Sequence, residues 1–145
     1  MKSIRTKPTT KVAKAIPYSG DEERLSLVHE ASSGVYASMF FDLASLFHFK
    51  KEELANLFHV SLKSLMRYHA SKQKLNPAQS EHVLKMISLH RHGMEVFGDE
   101  YALHRWLQKP AYGLGNKIPF QLMNTSSGLD LIINELKRIE WGDLA

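Results

Sequence analysis

The sequence predicts an all-α protein, with an N-terminal helix-turn-helix domain joined by a long helix to a small helical C-terminal domain. Three observations predict it. Apolar residues recur at the 3.6-residue helical period through several segments. Helix starts and stops bracket those segments, with Asp21, Ser61, Asn76-Pro77 and Asp99 at starts and Gly34, Gly98 and Pro110 at ends. Residues 51–69 order a small residue, apolar residues and a capping serine as two crossing helices require.

Composition bounds the rest. A chain of 145 residues suffices for one compact domain or two small ones sharing a core. At 43% hydrophobic and 23% charged it reads as a soluble globular protein. The sequence has no cysteine, which removes disulfides, thiolate zinc sites and thiol nucleophiles and suits a reducing cytoplasm. No apolar run approaches the roughly 20 residues that span a bilayer, and the basic N-terminus lacks the apolar stretch of a secretory signal. The net charge of +4 is uneven. Residues 1–20 carry Lys2, Arg5, Lys7, Lys11 and Lys14 and no acid, and residues 48–92 are also basic. Residues 21–47 and 93–145 are acidic. A polyanion suits the basic blocks only; the last block suits a protein partner.

Residues 1–20 read as a flexible basic tail, broken by Pro8, Pro17 and Gly20 and too polar to order themselves. Asp21 opens the first helix, with Glu22 and Glu23 near its positive end; Leu25, Val28 and His29 make a short stripe, and Ser33-Gly34 interrupts it. Val35, Met39, Phe40, Leu43, Leu46 and Phe47 then repeat at helical spacing. So dense an apolar run reads as core that also supports a homodimer.

Residues 51–69, KEELANLFHVSLKSLMRYH, fit a helix-turn-helix. Ala55 is the small residue where the second helix crosses close to the first. Leu54, Phe58, Val60, Leu65 and Tyr68 hold the pair together, and Ser61 caps the second helix. The exposed positions of that helix are Ser61, Lys63, Ser64, Met66 and Arg67, placed to reach base edges or phosphates in a major groove. Lys72 and Lys74 come next, suited to backbone phosphates. The tight turn, where glycine is usual, holds His59, which enters the left-handed region less readily. Asn76-Pro77 then starts a long helix that runs to about Phe97 and stops at Gly98. No flexible linker separates this helix from the C-terminal part of the chain.

Asp99 caps the next helix, in which Tyr101 or Ala102, Trp106 and Leu107 share a face. Pro110 ends it. Gly113, Gly115 and Pro119 make a loop, and Phe120, Leu122 and Met123 an apolar patch. Thr125, Ser126 or Ser127 caps a last helix striped by Leu129, Ile132, Ile133, Leu136 and Ile139. Trp141, with Gly142 and a short acidic-apolar end after it, reads as an exposed anchor.

Over residues 96–141 the order FGD, Ala102, Trp106-Leu107, a proline, a glycine-rich turn, Ile118-Pro119-Phe120 and a closing ELKRIEW resembles the C-terminal toxin-binding domain of Xre/MbcA/ParS-type antitoxins. The resemblance implies residues 21–92 as an Xre-like helix-turn-helix and dimerisation domain that represses its operon, and residues 93–145 as a toxin-binding domain. It implies a RES-domain, NAD-consuming toxin whose cleft the antitoxin covers. Carried onto this sequence, toxin contact falls to Lys137, Arg138, Glu140, Trp141, Asp143, Leu144 and Ala145, with operator DNA as the second partner.

Other chemistry is absent from the pattern. The eight histidines include His82, His90 and His92 on one helix, but no carboxylate completes a metal set at useful spacing, so no metal and no cofactor is expected. Gly113-Leu-Gly115 lacks a preceding strand and is a turn, not a phosphate cradle. Paired acids such as Glu52-Glu53 sit at helix starts. Nothing points to an enzyme. The alternative reading is a stand-alone helix-turn-helix regulator whose C-terminal part dimerises or senses a small molecule.

Overall fold

The computed structural model describes residues 20–142, so the basic tail and the last three residues lie outside the described residues. The described residues form α1 (Gly20–Ser33), α2 (Ser38–Phe47), α3 (Lys51–Phe58), α4 (Leu62–Ala70), α5 (Pro77–Phe97), α6 (Glu100–Leu107) and α7 (Ser126–Glu140). Two short 3-10 turns, Tyr112–Leu114 and Pro119–Leu122, fill the connection before α7. Tyr36 with Lys74 and Ala111 with Lys117 make isolated β-bridges. No helix among the described residues is long and apolar enough to cross a membrane.

The helix ends form where capping chemistry places them. Asn76 accepts from Gln79 N–H at 2.7 Å, and Gln79 Oε1 accepts from Asn76 N–H in return, so two free donors are satisfied at once. Gly98 closes α5 at φ 68°. Asp99 caps α6 through Ala102 N–H, and Thr125, of the three candidates, caps α7 through Gly128 N–H.

Helix α5 is the axis. It packs against α1, α2, α6 and α7. Val83, Leu84, Met86, Ile87 and Leu89 are buried, and so are Ser80, His82, Ser88 and His92. A helix buried on nearly all sides cannot carry a one-sided stripe. One hydrophobic cluster runs from Ala31 through α2, α3 and α5 to Leu136, which joins both halves of the chain. Around Phe40 it is aromatic, with Phe41 and Phe58 edge-on at 5.0 and 5.4 Å. The dense 35–49 segment is therefore core: Phe40, Leu43 and Phe47 are buried.

Two expectations need correcting. In α6 the buried pair is Leu103 and Leu107, one turn apart, while Tyr101 is 61% exposed. Leu103 wins because α6 crosses α5 at Gly93; a Cβ there would lie 2.6 Å from Leu103 Cδ1. In α1, Leu25 and Val28 face solvent and Ala31 is the buried residue.

Candidate DNA and partner-binding surfaces

At the helix-turn-helix, Leu54, Ala55, Phe58 and Leu65 are buried, and Val60 and Tyr68 are half-buried. Ala55 is 2% exposed, as a crossing point between α3 and α4 demands. His59 does take the left-handed conformation, at φ 58°. Its ring then reaches across the molecule: Nε2 donates to the Asn124 carbonyl at 3.0 Å. His82 Nε2 donates to the adjacent Met123 carbonyl at 2.8 Å. The turn of the helix-turn-helix is thus tied to the segment that leads into α7. A carbonyl only accepts, so His82 carries its proton on Nε2. Burial pushes the His82 pKa down, against the opposing pull of that hydrogen bond.

The expected DNA-facing residues fall into two groups. Lys63, Met66, Arg67, Lys72 and Lys74 are exposed. Arg67 lies over the Tyr68 ring at 5.1 Å, and Lys74 lies over Tyr36 at 5.4 Å while donating to the Ser33 carbonyl. Ser61 and Ser64 are different. Ser61 Oγ accepts from Ser64 N–H at 3.0 Å and donates to Ser64 Oγ at 2.9 Å, so the Ser61 hydroxyl proton is engaged in the cap while Ser64 keeps its own O–H to donate. Helix α4 presents Lys63 in its first turn and Arg67 one turn on, a cationic edge for a polyanion.

At the opposite end, Trp141 is 81% exposed and caps the C-terminus of α7. Glu140 is exposed and Lys137 half-buried. Arg138 already pairs with Glu135 at 2.8 Å, and Glu135 is 5% exposed. Asp143, Leu144 and Ala145 lie outside the described residues. Sequence reasoning missed Leu131, 54% exposed, which lies on α7 in register with Asn134, Arg138 and Trp141. It also missed Tyr112, 85% exposed, on the turn that packs against α7. The signal for Leu131 was its place outside the buried stripe.

A polar clamp fixes the start of α7 on α5. Ser126 Oγ donates to Glu81 Oε2 at 2.5 Å. Lys85 Nζ donates to Ser126 Oγ at 2.7 Å and to Asp130 at 2.9 Å. Gly128, in the first turn of α7, passes so close to the Leu122 carbonyl that no side chain fits.

The histidines of α5 do not share one site. His82 faces Met123; His90 packs edge-on to Phe47 and lies 3.7 Å from Glu100. Burial holds the His90 pKa at about 4. Of the three histidines, His92 alone has two carboxylates near it among the described residues, Glu95 and Glu140.

Two adjacent helical units, one with a basic exposed second helix and one ending in an exposed tryptophan, define a helix-turn-helix protein with a C-terminal interaction domain. Known proteins agree. Residues 26–88 match the antitoxin Xre-like helix-turn-helix domain, and residues 92–142 the antitoxin Xre/MbcA/ParS C-terminal toxin-binding domain. The chain belongs to the Xre/MbcA/ParS antitoxin family. It is 26% identical to the antitoxin Xre of Photorhabdus laumondii over 95 residues, 65% of this chain and 64% of that one. To the antitoxin Xre of Yersinia enterocolitica it is 25% identical over 93 residues, 63% of each. The match therefore spans a little under two thirds of these relatives. The crystal structure of the M. tuberculosis MbcT–MbcA toxin–antitoxin complex contains a similar fold, with a TM-score of 0.58 at 17% identity, covering 75% of this chain and 96% of that one.

Proposed function

We propose that this chain is the antitoxin of a toxin–antitoxin pair in the cytoplasm, and not an enzyme. Its C-terminal domain, residues 93–145, binds a cognate toxin of the RES class and blocks NAD consumption. Its helix-turn-helix, within residues 21–92, represses the operon as a homodimer. One observation carries the reading: the matched toxin-binding domain ends in α7, whose outer face offers Leu131, Arg138 and Trp141 beside exposed Tyr112. An aromatic anchor with an apolar neighbour and a charged rim is what a protein interface uses. Asp143 supplies a carboxylate for a toxin pocket that binds an anionic cofactor.

The DNA half rests on the exposed Lys63, Met66 and Arg67 of α4, with Lys72 and Lys74 beyond. The test of the toxin half is co-expression with the product of the adjacent gene, purification, and an NAD-consumption assay. A stable, silent complex supports the proposal. A chain truncated after Glu140 that still neutralises the toxin fully would remove the terminal segment from the mechanism.

A further inference from the structure

The C-terminal ends of α5 and α7 meet at a cluster of different chemistry. His92 on α5, Glu95 one turn on, and Glu140 at the end of α7 place one ligand atom each within 4.8 Å of one another. The His92 side chain is 10% exposed, and its Nδ1 lies 3.5 Å from Glu95 Oε1. That is long for a hydrogen bond. It matches two ligands on one tetrahedral ion: with metal–ligand distances of about 2.1 Å their separation is about 3.4 Å.

The electrostatics point the same way. Each helix C-terminus carries partial negative charge, which favours a cation there. The last turn of α5 has no basic residue. Of the cations on α7, Arg138 pairs with Glu135 and Lys137 is half-buried; on α5, Arg91 and His92 each have a further interaction. Two carboxylates side by side repel unless a cation lies between them.

We propose that His92, Glu95 and Glu140 bind a divalent transition-metal ion of the zinc class, pinning the end of α7 to α5. An imidazole with two carboxylates and an open fourth position is a donor set for zinc, and disfavours calcium and magnesium, which prefer all-oxygen sites. The ion would fix Trp141, adjacent to Glu140, relative to the core. The proposal holds whether or not the partner of that face is a toxin.

The test is calorimetric titration of Zn2+ into the full chain stripped of metal by a chelator, with Co2+ absorption spectroscopy as the second readout. Glu95 and Glu140 are exposed, so Glu95→Gln and Glu140→Gln are expected to leave the fold intact, checked by circular dichroism. The expected result is one saturable site, weakened roughly ten- to hundred-fold or more by either variant. Co2+ should give the intense visible bands of tetrahedral coordination, lost in Glu140→Gln. Absence of saturable binding at millimolar Zn2+ would overturn the proposal. So would binding that both variants leave unchanged, which would place the ion on other histidines.

Discussion

His90 is the residue whose surroundings set the sharpest expectation. Burial against Phe47 disfavours its cation and holds its pKa at about 4; Glu100 opposes this and His48 adds to it. In the unfolded chain the same ring titrates near its ordinary 6.5. As pH falls, the unfolded chain takes up the proton first. The stability is therefore intact above about 6.5 and is lost progressively as pH falls to about 4, by up to about 3 kcal/mol. Thermal denaturation should show a flat midpoint near neutral pH and a fall across that window. His90→Gln should flatten part of the slope, and His82, shifted the same way, contributes to what is left. A second residue-scale prediction concerns Gly128. A methyl there runs into the Leu122 carbonyl, so Gly128→Ala should lower the melting midpoint by several degrees, about 1–3 kcal/mol for an overpacked site. His59 shows where the sequence stops informing. Its departure from glycine is readable, and so is the left-handed turn. Its partner Asn124 is not, because 65 residues separate them and no local pattern encodes a side chain reaching a remote carbonyl.

At the scale of elements, caps and periods are legible in the sequence and orientations less so. Asn76, Gly98 and Asp99 each sit where their chemistry puts them, since capping is a local interaction. The face of α6 departs from its sequence reading because crossing α5 at Gly93, a tertiary event, selects Leu103. Helix α1 departs likewise: its partner, not its period, decides that Ala31 is buried. Removing the Thr125 hydroxyl tests one such cap. Thr125→Ala should cost about 1 kcal/mol of stability, read by urea denaturation with an unchanged slope. Helix α4 carries a functional expectation. Lys63→Ala and Arg67→Ala should each weaken operator binding. If the lost contact is to phosphate, the slope of log affinity on log salt should fall by about 0.9 per contact. Operator affinity untouched by both changes would remove α4 from the DNA interface.

For the whole molecule, the continuous cluster from Ala31 to Leu136 makes the two halves one body around α5. The boundary expected between residues 92 and 93 falls inside that helix. The halves also touch outside the core, through His59 with Asn124 and His48 with Glu100 at 2.9 Å. A partner that shifts the start of α7 therefore acts on the segment that holds the helix-turn-helix turn. The meeting of His92, Glu95 and Glu140 belongs to this scale as well. Glu95 stands at readable spacing from His92, whereas Glu140 arrives only through the packing of α7 on α5.

The central claim is that the outer face and end of α7 silence a toxin. The most direct measurement is NAD consumption by the product of the adjacent gene, purified with this chain and with Leu131→Arg and Trp141→Ala variants of it. The account predicts a silent complex with the unaltered chain, and restored NAD consumption with weakened co-purification when both exposed apolar residues are changed. Full NAD consumption in the presence of the unaltered chain, with no complex formed, would contradict it.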